Sequence, residues 1–271
     1  MPDQYAVVGN PVAHSKSPQI HAEFARQTRQ ILSYERLLAP IDGFFATVEG
    51  FRARGGLGAN VTLPFKGEAF SYATRLSDRA RTAGAVNTLK FEDETIFGDN
   101  TDGAGLVNDL ASNFCCAIGG RRLLLLGAGG AARGVIKPLL ELQPTHLILA
   151  NRTLSKAQEL AQYFDGDVQA STYAALTGRQ FDVVINATSA SLTGAKLPLP
   201  KRLFAEDALA YDMMYGKGET PFLAFARAEG AATLADGLGM LVEQAAESFF
   251  VWRGIRPNTA PLLNLLRQAV P

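Results

Sequence analysis

Short apolar runs recur along this chain, each ending abruptly in glycine, proline or a polar loop, and most are followed by a stretch with apolar residues at helical spacing. That pattern predicts buried strands alternating with helices. Tyr5-Ala6-Val7-Val8-Gly9 is the first strand, and a polar loop over residues 10–18 leads into a helix with Ile20 and Phe24 on its apolar face. Tyr34-Glu35-Arg36-Leu37-Leu38-Ala39 is the second strand, residues 43–52 form a helix, and Gly58-Ala59-Asn60-Val61-Thr62-Leu63 is a third strand before a helix that starts at Pro64-Phe65-Lys66. Residues 84–91 and 95–98 read as two strands joined by the acidic turn Glu92-Asp93-Glu94. The polar stretch 99–103 then precedes a helix carrying Leu106, Val107 and Leu110.

The sharpest of these runs is Arg121-Arg122-Leu123-Leu124-Leu125-Leu126, which stops in Gly127-Ala128-Gly129-Gly130-Ala131-Ala132. Four consecutive leucines suit a parallel strand covered on both faces. The glycines let backbone N–H groups approach a pyrophosphate at a helix N-terminus, so the turn reads as a dinucleotide-binding fingerprint ending in alanine. A second strand, Thr145 through Ala150, ends in Asn151-Arg152-Thr153, about twenty residues past the glycines, where the fingerprint places its ribose reader. An NAD site wants a carboxylate there. Arg152 instead suits a 2′-phosphate, with Lys156 as a second positive charge, and the cofactor expected is NADP. As isolated residues, both cations read equally as solvated surface charges.

Further runs extend the pattern: Phe181 through Thr188, Ala208 through Tyr215, a helix over residues 221–229 and a last strand at Ala231 through Ala235. Residues 193–200 hold too much proline and glycine for regular structure. Leu238, Leu241, Val242, Ala245, Phe249 and Trp252 make one apolar stripe on a C-terminal helix, with Gln244 on its flank. The expected fold class is α/β, with two α/β domains.

Composition narrows the partners. The 271 residues exceed the usual size of one domain, and 26 basic against 26 acidic side chains give zero net charge. No global field favours nucleic acid or an anionic membrane, so small molecules are the expected partners. The two cysteines, Cys115 and Cys116, are adjacent, which disfavours a structural disulfide. With neither a basic, apolar leader nor a membrane-length apolar run, a cytoplasmic location is expected. No metal-ligand spacing appears among the three scattered histidines.

Three polar stretches are candidates for chemistry. Ser15 and Ser17 alternate in a loop at a helix start, where hydroxyls and backbone donors can hold a carboxylate; Ser17 before Pro18 equally reads as a helix N-cap. Thr62 and Lys66 fall at the carboxyl edge of a parallel sheet, where open α/β folds place ligands, although a lysine there is also an ordinary surface charge. In Asp99-Asn100-Thr101-Asp102, either Thr101 or Asp102 would cap the next helix, yet one cap needs one residue and four are supplied.

Taken together, the chain resembles the shikimate dehydrogenase family over nearly its whole length. The resemblance is carried by Gly9-Asn10-Pro11 with His14-Ser15-Lys16-Ser17-Pro18, Asn60-Val61-Thr62 with Pro64-Phe65-Lys66, and Gly84-Ala85-Val86-Asn87-Thr88. Gly98-Asp99-Asn100-Thr101-Asp102-Gly103, the glycine turn, Asn151-Arg152-Thr153 and Asp236-Gly237-Leu238-Gly239-Met240-Leu241 complete it in family order. It implies an enzyme that interconverts 3-dehydroshikimate and shikimate with NADPH. It assigns the substrate carboxylate to Ser15 and Ser17 and the ring pocket to Thr62, Lys66, Asn87, Asp102, Tyr215 and Gln244, with Lys66 and Asp102 as catalytic pair. Cofactor contacts carry over to Gly127, Ala128, Gly129, Gly130, Ala131, Asn151, Arg152, Thr153, Lys156, Met213 and Gly237, with Asp78 where relatives often have an acid. It also implies a substrate-binding domain with a mainly parallel sheet (residues 1–101 with 238–271), a Rossmann-type doubly wound NADP-binding domain (residues 102–237), and a cleft between them. The expected state is a monomer or homodimer. Two departures, Ala131-Ala132 at the turn's end and Met214 where phenylalanine is common, are conservative. The rival readings are a quinate/shikimate dehydrogenase of broader substrate and cofactor range, which an acid at position 152 would have favoured, and an idle cofactor-binding regulator, which loss of Lys66 or Asp102 would have marked.

Overall fold

The computed structural model describes residues 2–164, 166–190, 194–216 and 218–268; of the segments discussed above, residues 191–193 and 269–271 lie outside them. The chain divides into two compact units, Met1–Gly105 with Leu241–Leu265, and Leu106–Met240 with Leu266–Pro271.

The first unit runs β1 (Asp3–Gly9), α1 (Ser17–Thr28), β2 (Leu32–Leu38), α2 (Phe44–Ala53), β3 (Gly56–Val61), α3 (Lys66–Tyr72), β4 (Arg75–Leu76), α4 (Asp78–Ala83), β5 (Thr88–Glu92) and β6 (Thr95–Asp99). Its sheet has the order β2-β1-β3-β5-β6-β4. β1 pairs in parallel with β2 and β3, as β4 does with β6, whereas β3–β5 and β5–β6 are antiparallel. The sheet is therefore mixed. The expected strand over residues 84–91 begins only at Thr88, because Gly84 takes a left-handed conformation (φ +59°) that ends α4, and residues 85–87 are the connection from that cap. Val8, Phe44, Val61, Phe65, Val86 and Leu89 join one buried cluster of this unit.

In the second unit come β7 (Arg122–Leu126), α6 (Gly130–Glu141), β8 (His146–Ala150), α7 (Leu154–Ala161), β9 (Val168–Ser171), β10 (Phe181–Asn186), β11 (Phe204–Asp212), α8 (Pro221–Ala228) and β12 (Thr233–Asp236). All six strands are parallel, ordered β12-β11-β10-β7-β8-β9. The leucines of β7 explain this layering. Leu123 and Leu125 belong to one buried cluster and Leu124 and Leu126 to another, so alternate side chains feed opposite faces and all four are fully buried. Each such burial is worth about 1.5–3 kcal/mol. β8 and β10 flank β7, so the chain reverses its direction of winding there, and the glycine turn leaves β7 at this switch point.

The remaining helices are α5 (Asp102–Asn108), continued by a π-helical turn at Asp109–Asn113, and α9 (Leu238–Arg253), followed by α10 (Ala260–Gln268). No helix among the described residues is long and apolar enough to cross a membrane.

Candidate active site

The polar residues of the first unit converge from strand ends. Lys66 is the first residue of α3 and Asp102 the first of α5, and the Lys66 Nζ lies 2.6 Å from Asp102 Oδ2. Asn87 Nδ2 donates to the other carboxylate oxygen at 2.8 Å, so Asp102 spends its side chain on Lys66 and Asn87. Their exposures, 29% and 17%, leave the pair half sheltered and still reachable by a ligand. Asn87 is itself held rigidly: its Oδ1 accepts from Thr101 N and Thr88 Oγ1, both at 2.9 Å. Gln244, on α9, completes the group, its Oε1 accepting from Thr101 Oγ1 at 3.4 Å while its Nε2 donates to Leu241 O. Thr62 follows β3, its N–H donating to Val8 O at 2.9 Å and its methyl lying 2.5 Å from where a Cβ at Gly9 would sit.

Ser15 and Ser17 form a second cluster of this unit. Ser17 opens α1 but does not cap it: the capping position is Lys16, with no side-chain cap bond. Instead Ser15 Oγ accepts from Ser17 N at 3.3 Å and donates to Ser17 Oγ at 3.1 Å, which ties the two hydroxyls together. Asp78 is a different case, 83% exposed at the start of α4 and paired with Arg81 at 2.8 Å.

Asn60, which nothing in the local sequence marks as functional, is the hub of the buried network. Its Nδ2 donates to Ser248 Oγ (2.9 Å), Thr88 Oγ1 (3.2 Å) and Asn87 O (3.3 Å), and its Oδ1 accepts from the Tyr34 hydroxyl at 2.7 Å. Burial pushes the Tyr34 phenol well above its usual pKa, and a chain of hydrogen bonds runs from it through Asn60 to Asn87 and Asp102. The available signal was a polar residue inside an apolar strand, since a buried amide must find partners.

His21 also meets Asn60 Oδ1, through Nε2 at 3.2 Å, with its ring stacked on Tyr34. Because Oδ1 is an acceptor, the imidazole carries its proton on Nε2, and Nδ1 is left buried without a hydrogen-bond partner among the described residues. Burial lowers the His21 pKa to about 3, with the Asn60 bond opposing. A base whose folded pKa lies below its ordinary value keeps its full contribution to stability above the ordinary value and loses it as the pH falls toward the folded one. Urea unfolding at about pH 5 should therefore cost the wild type about 2 kcal/mol relative to neutral pH through this one group, a loss His21→Gln should lack. An equal acid slope in the variant would assign the loss elsewhere.

In the second unit the glycine turn divides by function. Gly127 has φ +104°, and a Cβ there would meet Thr188 at 2.9 Å, so the fold itself requires glycine. At Gly129 and Gly130 a Cβ would meet no atom within 4 Å, although α6 begins there with no side-chain cap. Those two positions are open to a ligand that must approach backbone N–H groups closely, the geometry a pyrophosphate requires. Asn151 Nδ2 donates to Thr153 O at 2.8 Å, shaping the turn after β8, and Arg152 and Lys156 beyond it are exposed with no ion pair among the described residues. Unpaired cations and an open glycine turn fit NADP. Ala128 and Ala131 flank the turn half-buried. A Cβ on Gly237 would lie 2.1 Å from the carbonyl oxygen of Met213, so these two cofactor candidates are in backbone contact. Tyr215 lies in this unit, beyond β11, where burial and the nearby Asp236 charge raise its pKa and keep it a neutral phenol.

Comparison with known proteins gives a consistent picture. A family model described as shikimate dehydrogenase substrate binding domain matches residues 7–89, one described as shikimate / quinate 5-dehydrogenase matches 109–196, and one described as shikimate 5′-dehydrogenase C-terminal domain matches 237–267. The chain is 62% identical over 272 residues to a shikimate dehydrogenase (NADP(+)) of Nitrosospira multiformis, covering 100% of this chain and 99% of that one. Among solved structures it resembles an Ael1 enzyme from Pseudomonas putida (TM-score 0.94, 50% identity, 97% and 98% of the two chains). It also resembles shikimate 5-dehydrogenase of Thermus thermophilus in complex with NADP(H) and shikimate (TM-score 0.88, 33% identity, 98% and 99% covered).

Proposed function

Since this chain belongs to the shikimate dehydrogenase family, we propose that Lys66 and Asp102 are the residues that carry its reaction. The reaction is the NADPH-dependent, reversible reduction of 3-dehydroshikimate to shikimate, an oxidoreductase step of the shikimate pathway. The observation that supports the assignment is the 2.6 Å pair of Lys66 Nζ and Asp102 Oδ2, fixed by Asn87.

Bound NADPH supplies the hydride. Reduction of a ketone leaves negative charge on its oxygen, and that charge must be met by a proton as it forms. Lys66, as an ammonium, stabilises the developing charge and delivers the proton from Nζ; in the oxidation direction the same nitrogen takes it back. Asp102 orients the lysine and accepts a hydrogen bond from a ring hydroxyl. Asn87 keeps the carboxylate from swinging, since its amide bonds both Asp102 and Thr101. Thr62, Tyr215 and Gln244 supply further polar contacts to the ring, and Ser15 and Ser17 hold the carboxylate.

The cofactor is NADP, as the relatives' names state. We assign its pyrophosphate to the turn at Gly127 through Ala131 and its 2′-phosphate to Arg152 and Lys156, supported by Asn151 and Thr153, with Met213 and Gly237 as further cofactor contacts. Asp78 is retained as a peripheral cofactor contact. Arg152→Ala should raise the Michaelis constant for NADP ten- to a hundredfold, the scale of a charge-assisted phosphate contact worth about one to three kcal/mol, and leave that for NAD nearly unchanged. Equal effects on both cofactors would move the 2′-phosphate elsewhere. The substrate-binding domain comprises residues 1–101 with 238–271 and the NADP-binding domain residues 102–237. We place the enzyme in the cytoplasm as a monomer or homodimer.

A further inference from the structure

The geometry points to Arg36 as the residue that makes the serine loop select a carboxylate, an inference that rests on the reading of Ser15 and Ser17 as the carboxylate anchor. Arg36 lies on β2, the edge strand of the first sheet, and its side chain is exposed. Nε and Nη2 both donate to the carbonyl oxygen of Ser15, at 3.1 and 2.6 Å. A guanidinium thus grips the backbone of the very residue whose hydroxyl organises the serine pair.

The rest of the loop is held by neutral bonds: Ser15 N to Val12 O at 3.0 Å and Asn10 Nδ2 to Ala39 O at 2.8 Å. Arg36 adds the only charged hold on Ser15 among the described residues. Its charge is not spent on an acid, for its strand neighbour Glu35 pairs with Arg54 at 3.5 Å, and no carboxylate among the described residues pairs with Arg36. One positive charge, paired with no carboxylate among the described residues, is therefore hydrogen-bonded to the backbone of the residue that carries the first of the two hydroxyls.

Hydroxyls alone bind neutral and anionic acceptors with little distinction, because they satisfy lone pairs on either. A fixed cation breaks that degeneracy in favour of the anion. Arg36 is a positioning and specificity residue in this account. Its two bonds fix the Ser15 backbone, and its charge sets the preference for a carboxylate over the matching carboxamide. The loop's other cation in this stretch, Lys16, makes no side-chain hydrogen bond or ion pair among the described residues.

The test uses the whole enzyme with saturating NADP. The Michaelis constant and kcat are measured for shikimate, with inhibition by the carboxamide of shikimate, for the wild type and for Arg36→Ala, Arg36→Lys, Lys16→Ala and Ser17→Ala. The expected result for Arg36→Ala is a shikimate KM raised about fivefold, the upper scale for an exposed charge, with kcat changed less than about twofold. Carboxamide inhibition should stay within about twofold, so the preference for the acid narrows by nearly the whole KM change. Arg36→Lys keeps the charge and should recover most of the loss, and Lys16→Ala should fall below Arg36→Ala in effect. An equal loss for acid and carboxamide, no loss at all, or a Lys16→Ala effect as large as that of Arg36→Ala would overturn the inference. Ser17→Ala separates the two readings: if it leaves shikimate binding intact, the serine anchor itself is wrong. If it weakens binding while Arg36→Ala does not, the anchor stands and the role of Arg36 falls.

Discussion

Lys66→Ala should lower kcat for shikimate oxidation by at least about a hundredfold while the shikimate KM changes little. A positioned acid or base contributes about that much, and a hundredfold corresponds to about 2.7 kcal/mol of transition-state stabilisation. The expectation follows from where the lysine sits. Its ammonium is the partner of Asp102 Oδ2, and Asn87 occupies Oδ1, so removing Lys66 leaves the carboxylate with only the Asn87 amide among its side-chain partners in the described residues, a group that gives up no proton. An interaction made only as charge develops on the substrate oxygen appears in kcat and not in KM. Should the variant keep near-normal turnover and lose only affinity, Lys66 is a binding residue and another group supplies the proton. Circular dichroism and unfolding of the variant guard against a structural explanation, since a half-exposed lysine at the first position of a helix carries little of the fold.

A contrast of two glycines gives the other large effect. Gly237→Ala should cost about 3 kcal/mol of stability, because the new Cβ would stand 2.1 Å from the Met213 carbonyl oxygen and 2.7 Å from its carbon, backbone atoms that cannot rotate aside. Gly129→Ala adds the same methyl where no atom lies within 4 Å, so its stability should change by less than about 0.5 kcal/mol. Its NADP dissociation constant should nevertheless rise about tenfold or more, since the methyl takes the room the pyrophosphate needs against the backbone. Unfolding curves and calorimetric titration with NADP read the two effects separately. Unimpaired NADP binding in Gly129→Ala would remove the glycine turn from the cofactor site.

What the sequence disclosed, and what it withheld, follows from the range of the interactions involved. Buried parallel strands are written in consecutive residues, so Leu123 through Leu126 announced both the strand and its coverage on two faces. Lys66 and Asp102 stood out because chemistry-bearing residues collect at strand ends. The antiparallel pairing of β5 was hidden, because Ala85-Val86-Asn87 is as apolar as many strands and only the left-handed Gly84 cap of α4 removes it from the sheet. The short elements β4 and β9 carry too few residues to show a period. Least legible was the Asn60 network, whose partners Asn87, Thr88 and Ser248 lie 27, 28 and 188 positions away. Ser17 illustrates the limit of local rules: before a proline it has the chemistry of a cap, yet the register of α1 makes Lys16 the capping position and leaves the hydroxyl for Ser15.

The central claim, a shikimate dehydrogenase that uses NADP through Arg152, is tested most directly by following nicotinamide absorbance with the purified wild-type chain and four mixtures: shikimate or quinate, each with NADP or NAD. The account predicts rapid reduction of NADP by shikimate, slow reduction of NAD by the same substrate, and little turnover of quinate with either cofactor. Turnover of quinate matching that of shikimate, with NAD serving as well as NADP, would contradict it.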